Sequence, residues 1–293
     1  MRAYLPSYEM VVPRTLAEAL ALVRDEPGVW RPFAGGTDLM VLLEAGRLEQ
    51  RKFFSIAHLR DLRGVEESGE FVNVGALTTY TDVRRSALLA REFPMLIDAA
   101  RETGGIAIQN RGTVGGNIAN ASPAADTPPA LLAYGAEVEL VSASGARRVD
   151  YAEFHTGYRQ TLMRADEIIA RVRLRRPREG SRHFYRKVGT RRAQAISKVC
   201  FAALAEVGEG GRVKEARIAV GSVAPTVVRC RETEALLRGR QLDGEVLKEA
   251  PAALARDIAP IDDVRSTARY RLRVAQNLLA EFLSGMDGTS TKA

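Results

Sequence analysis

Apolar and polar positions along this chain switch between two periods, and the switches divide it into three units. Tyr8 to Pro13 is an extended, largely apolar run. Leu16, Ala19, Leu20 and Val23 then recur at helical spacing, with Thr15 and Glu18 at the interval that caps a first turn. Trp30 to Ala34 predicts a short strand, Leu39 to Leu43 a helix and Phe53 to Ile56 a buried strand. That order describes a small α/β unit over residues 1–57.

A second unit covers residues 58–177. Phe71 to Gly75 alternates as a strand, Thr81 starts a helix, and Pro94 sits in the first turn of another ending near Glu102. Asp126 and Thr127 stand where they would cap a helix that holds Pro128 in its first turn and stops at Gly135. Glu137 to Val141 and Ile168 to Leu174 read as strands. Strict alternation in the latter puts Ile168, Ala170, Val172 and Leu174 on one face and Arg171 and Arg173 on the other. The Pro/Arg/Gly-rich stretch Arg175 to Arg182 marks a boundary. The third unit, 178–286, predicts strands near Lys198–Val207 and Val213–Val220 and helices near Thr233–Leu237 and Ser266–Leu283. The polar residues 287–293 predict a disordered tail.

Hydrophobic content of 46% and charged content of 27% place the chain among ordinary globular proteins and exclude a disordered or fibrous class. No apolar stretch reaches bilayer length, and Met1 to Ser7 lacks the apolar core of a secretory signal, so a cytoplasmic location is expected. Cys200 and Cys230 stand far apart, and His58, His155 and His183 form no local ligand pair. No metal site and no iron–sulfur cluster are therefore expected on this chain. The net charge of +7 is concentrated between Arg171 and Arg192, where Phe184 and Tyr185 are the only aromatics. No nucleic-acid motif surrounds them, so nucleic acid is not an expected partner. A solvated basic face, a dock for an acidic partner and a phosphate-holding patch all remain open for this segment.

Two glycine-bearing runs carry the chemistry: Phe33-Ala-Gly-Gly-Thr-Asp-Leu39 and Thr113-Val-Gly-Gly-Asn-Ile118. Backbone without Cβ atoms can turn sharply and bring its N–H groups close to an anion. Two such runs point to a diphosphate held from two sides. A tight strand-to-helix connection is the alternative for either run alone, since neither has the Gly-x-Gly-x-x-Gly or Walker pattern. The stretch Asn110 to Asp126 is poor in bulky side chains and rich in hydrogen-bonding groups. A bound polar ligand would satisfy them. Asp126 is a candidate acceptor for sugar or ribityl hydroxyls as well as a helix cap.

Together, Ala34-Gly-Gly-Thr-Asp38 and Thr113-Val-Gly-Gly-Asn-Ile118, with Ser122-Pro-x-x-Asp126, resemble the FAD-binding subunit of the molybdenum hydroxylases. The likeness continues through Phe154–Tyr158, Asp166–Ile169, Lys187–Arg192, Ile196–Val199 and Val220–Thr226, and leans toward the xanthine dehydrogenase type. It implies an α+β chain: a two-subdomain FAD-binding fold of the vanillyl-alcohol oxidase/PCMH type, then a C-terminal α+β domain with an antiparallel sheet. It implies FAD binding by Pro32, Phe33, Ala34, Gly35, Gly36, Thr37, Asp38, Leu39, Gly104, Thr113, Val114, Gly115, Gly116 and Asn117. Asp126 would bond the ribityl chain, Ile169 would lie along the cofactor, and Lys187 would reach toward the isoalloxazine. Lys187 also fits plain membership of the basic face.

The resemblance further implies a large partner with the molybdenum cofactor and a small partner with two [2Fe-2S] clusters, often as a dimer of heterotrimers. NAD is one possible acceptor, although Ala193-Gln-Ala195 stands where some NAD-reducing relatives carry acidic residues. Xanthine-type substrates lead, with carbon monoxide, aldehydes and N-heterocycles as alternatives. A stand-alone flavin oxidase or reductase, and a non-enzymatic anion-binding or nucleic-acid-binding module, are the rivals from other classes. No catalytic residue is expected on this chain.

Overall fold

Three main sheets and the helices between them make a mixed α+β structure. The computed structural model describes residues 7–191 and 194–286. Arg192 and Ala193, named above, and the tail from residue 287 lie outside the described residues.

In the first sheet, β1 (Glu9–Val11) and β2 (Arg31–Phe33) each pair in parallel with a central β3 (Lys52–Ser55). Parallel neighbours need crossovers, and the helices Leu16–Asp25 and Leu39–Glu44 supply them. Thr15 Oγ1 accepts the Glu18 N–H at 3.1 Å, as its spacing predicts. The Glu18 carboxylate accepts the N–H of Arg14 at 2.7 Å.

The second sheet runs β4 (Val65–Ser68), β5 (Phe71–Gly75), β10 (Ile168–Arg175), β6 (Glu137–Ser142) and β7 (Gly145–Asp150), all antiparallel. A small hairpin of β8 (His155–Gly157) and β9 (Gln160–Thr161) stands apart from it. The charged edge strands β4 and β7 escape the hydrophobic pattern because an edge needs little apolar surface. Strand β10 departs from strict alternation. Its register with β6 shifts between Ile169 and Arg171. Ile168 and Ala170 therefore join the core beneath the first sheet, with Phe54 and Trp30, whereas Val172 and Leu174 join the larger core with Ile169. An extra residue in a strand reverses the faces beyond it.

The third sheet follows chain order: β11 (Arg182–Val188), β12 (Val199–Val207), β13 (Val213–Gly221) and β14 (Val228–Arg229), antiparallel as expected. Strand β12 is buried on both faces. Phe201, Ala203 and Ala205 meet the C-terminal helices, and Ala202 and Leu204 join the core around helix Thr127–Ala133. One helix on that far side, Gly244–Asp257, went unpredicted because Pro251 lies inside it.

The basic segment is resolved by pairing. Arg171 bonds Glu139 at 3.1 Å, Arg175 bonds Glu70 at 3.1 Å, Arg178 bonds Glu206 at 2.8 Å and Arg186 bonds Glu281 at 2.5 Å. Arg173 pairs with Glu137, and Arg176 with Glu67 and Glu92. Carboxylates distant in sequence thus neutralise most of this run, and it is not an open basic face. Among the described residues, no helix is long and apolar enough to cross a membrane. None of their His, Cys, Asp and Glu side chains form a group able to hold a metal ion.

Candidate functional site

Strand β2 ends at Phe33, and the chain turns through Ala34–Asp38 into the helix Leu39–Glu44. Two close contacts shape that turn. A Cβ on Gly35 would overlap the Arg111 carbonyl oxygen, and one on Gly36 would come within 2.5 Å of the Phe33 ring. Gly36 also has φ +73°, which favours glycine. The turn therefore lies flat against residues 111–112. Arg111 Nε donates to the Gly35 carbonyl at 3.3 Å, and Asn120 Nδ2 donates to Asp38 Oδ1 at 3.2 Å. The two glycine runs, far apart in sequence, meet here.

They meet on unequal terms. In the first run, the N–H groups of Gly35, Gly36, Thr37 and Asp38 have no backbone or side-chain acceptor among the described residues. The second run is no loop: residues Val114–Asn120 are helical, with Thr113 as N-cap. Its leading amides are already engaged. Val114 donates to Thr78 O at 3.0 Å, Gly115 to Ala76 O at 2.8 Å and Gly116 to Thr113 Oγ1 at 3.1 Å. The expectation of open amides on both runs holds for the first alone. Gly115 is needed for packing, since its Cβ would sit 2.6 Å from that of Ala76.

Between the runs opens a cleft of about 450 Å³. Pro32, Ala34, Gly35, Gly36, Thr37, Asp38 and Leu39 line it from one side, and Thr113, Gly116 and Asn117 from the other. Phe33 lies behind the turn, edge-on to Phe53 at 6.3 Å. Val114 and Gly115 are buried behind the cleft wall, Ile169 is in the main core, and Gly104 packs on Ile108. Sequence reasoning missed Arg31, Tyr80, Thr161 and Met163, which also line the cleft. No local pattern marks them; topology alone delivers them. Asn120, within the stretch from Asn110 to Asp126 singled out from sequence, lines it too, as does Thr103.

One cleft wall is held by a buried carboxylate. The Glu167 side chain, 1% exposed, accepts from Arg147 Nε at 2.6 Å and Nη2 at 2.8 Å, and from the Arg164 N–H at 2.8 Å. Arg147 Nη2 also donates to Leu162 O at 2.9 Å, between the lining residues Thr161 and Met163. Burial works against the Glu167 charge. The Arg147 hydrogen bonds, the Arg164 amide and the two guanidiniums outweigh it and hold the carboxyl at about 2.

Asp126 and Lys187 come together, outside the cleft lining. Lys187 Nζ donates to Asp126 Oδ2 at 2.7 Å and to the Glu102 carbonyl at 2.8 Å, one residue before Thr103 of the cleft. Ser197 Oγ donates to Asp126 Oδ1 at 2.8 Å. Burial pushes the Asp126 carboxyl upward, while Lys187 and Ser197 pull against that shift. The Asp126 side chain makes no cap bond to helix Thr127–Ala133, so the capping alternative is not realised.

These features suit a dinucleotide. Open amides at a turn complement a pyrophosphate. Asn117 Oδ1 is buried without a protein partner and could accept from a ribityl hydroxyl.

Comparison with known proteins agrees with the geometry. Residues 6–177 match the family model described as FAD binding domain in molybdopterin dehydrogenase, and residues 183–286 match the CO dehydrogenase flavoprotein C-terminal domain. The chain is 33% identical over 275 residues to the xanthine dehydrogenase FAD-binding subunit of Escherichia coli O157:H7, covering 92% of each chain. It is 31% identical to the glyceraldehyde dehydrogenase medium chain of Sulfolobus acidocaldarius, covering 94% of this chain and 96% of that one. A solved carbon monoxide dehydrogenase from Hydrogenophaga pseudoflava superposes with a TM-score of 0.91 at 28% identity, covering 96% of this chain and 97% of its counterpart.

Proposed function

Because the chain belongs to the family of FAD-binding domains in molybdopterin dehydrogenases, we propose that it is the FAD-carrying, electron-transfer subunit of a molybdenum hydroxylase. The observation that carries this reading is the cleft: residues 35–38, whose four amides are unpartnered, line a space of about 450 Å³ together with Thr113, Gly116 and Asn117. Bound there, FAD supplies the exchange between one-electron and two-electron carriers.

The chain's own residues bind and orient. The 35–38 amides receive the pyrophosphate, and Asn117 with Asp126 addresses the ribityl chain. Lys187 keeps one of its three N–H bonds beyond those to Glu102 and Asp126, which suits a contact to the ring region. Residues 1–57 and 58–177 act as the two FAD-binding subdomains, and 178–286 as the C-terminal domain.

Relatives named as FAD-binding or medium subunits support two partners, one with the molybdenum cofactor and one with two [2Fe-2S] clusters. The assembly is a dimer of such heterotrimers in the cytoplasm, the substrate is of the xanthine type, and NAD is the acceptor to test first. Carbon monoxide, aldehyde and N-heterocycle substrates are the alternatives. A stand-alone flavin enzyme would need an acid or base toward the ring. Among the described cleft residues the only carboxylate is Asp38, held by Asn120, and there is no histidine.

An absorption spectrum of the purified chain, with heat release of its chromophore, tests the reading. A flavin spectrum near one FAD per chain without iron is expected, with recovery of the two partners on co-purification. A well-folded chain that takes up no added FAD would refute it.

A further inference from the structure

A second cavity, of about 460 Å³, opens beside the first. Arg31, Arg47, Arg159 and Tyr158 line it, over an apolar floor that includes the buried Leu48. Three separate segments deliver the arginines: β2, the turn after helix Leu39–Glu44, and the turn between β8 and β9. Arg31 also lines the first cleft, so the two spaces adjoin.

The charge here is unlike that of the basic segment. Arginines from Arg171 to Arg178 each have a carboxylate partner. Arg31, Arg47 and Arg159 have none within ion-pair reach among the described residues. Arg159 lies 5.9 Å from the centre of the Tyr158 ring, which is 63% exposed. Glu49 also lines the cavity and pairs with none of the three. The Gln50 side-chain amide is taken by the carbonyls of Val29 and Lys52, which fixes that part of the rim. Three like charges around one space repel one another, and a multivalent anion relieves that repulsion. Guanidinium forks match phosphate oxygens in geometry and charge.

We propose that this cavity is a second anion site, separate from the dinucleotide cleft, that takes a phosphate group. The phosphate is either free or the terminal group of a nucleotide; both present the same dianion to Arg47 and Arg159.

Calorimetric titration of the full chain, saturated with FAD and freed of excess, tests this with inorganic phosphate, ADP and adenosine as probes. FAD saturation closes the first cleft to ADP. Saturable binding of phosphate or ADP, at one site per chain and without adenosine binding, is expected. Equal affinities identify free phosphate as the ligand, and tighter ADP binding identifies a nucleotide. Arg47→Ala and Arg159→Ala should each weaken binding by about tenfold, the loss of one charged hydrogen-bonding partner, while FAD content and melting temperature hold. Both side chains are exposed, so the variants fold. Arg47→Lys should retain part of the affinity. No saturable binding, binding that neither variant weakens, or release of FAD by ADP would each overturn the proposal. If the chain held no FAD at all, the flavin reading would fall, and phosphate titration of the variants would still decide this site.

Discussion

Gly35 shows how much one missing methyl group decides. Its backbone lies against the carbonyl of Arg111, and a Cβ has no space there. Gly35→Ala should force the turn off residues 111–112, costing about 1–3 kcal/mol as overpacking does. It should also remove most flavin from the purified chain, because the open amides are held in place by this contact. Thermal melts and the flavin-to-protein absorbance ratio read the two effects, and unchanged flavin content would refute the assigned role. At this scale the sequence is partly legible. Gly35 and Gly36 announce a tight turn by composition alone. The engagement of the amides of Val114 and Gly115 does not show, because their acceptors, the carbonyls of Thr78 and Ala76, are brought near only by folding, whereas Gly116 is held by the local cap Thr113. Asp126 stands out as a lone carboxylate in a small-residue stretch, yet its partner Lys187 is 61 positions away.

Among elements, the most informative join is that of β7 to the segment leading into β10. Glu167 ties Arg147 of β7 to Arg164 and so fixes the backbone between Thr161 and Met163. Its carboxyl, at about 2, lies below the ordinary 4.5. A depressed value means that its contribution to stability is fully present above the ordinary value and is lost as pH falls toward the folded one. Glu167→Gln should therefore cost on the order of 2–3 kcal/mol at neutral pH, and its stability curve should converge on that of the unaltered chain between about pH 4.5 and about pH 2. Urea denaturation across that range measures both, and a gap independent of pH would refute the account. Strongly periodic elements were legible from sequence: the first helix, β5, β6, β12 and β13. Others were hidden for identifiable reasons. β4 and β7 are charged edges, Pro251 disguises a helix, and β11 presents Arg182 and Arg186 outward while Phe184 packs inward against Phe201.

Over the whole molecule, a buried ion pair helps fasten the C-terminal sheet to the flavin-binding part, beside the packing of Ala202 and Leu204 against helix Thr127–Ala133. Lys187 on β11 and Asp126 before helix Thr127–Ala133 are 4% and 10% exposed. Removing one charge strands the other, which typically costs about 3–5 kcal/mol, whereas removing both leaves only a packing problem. Lys187→Met should thus destabilise the chain by that amount, and adding Asp126→Leu should restore a substantial part. Denaturation midpoints of the two single variants and the double variant measure the coupling; strict additivity would show that the pair does not fasten the domains.

The shifted register of β10 has a consequence for how the chain is made. Ile168 and Ala170 complete the core beneath the first sheet, together with Phe54 and Trp30. During synthesis the first 57 residues emerge long before those two side chains exist. At ordinary translation rates the ribosome adds the intervening residues in roughly 6–23 s. Throughout that interval the nascent N-terminal unit lacks part of its core, and the 34–38 turn lacks its contact with residues 111–112 for much of it. The glycine turn proposed to anchor the cofactor, although near the start of the message, is thus among the later parts of this protein to mature, and on that proposal cofactor capture waits for strand β10 to leave the exit tunnel.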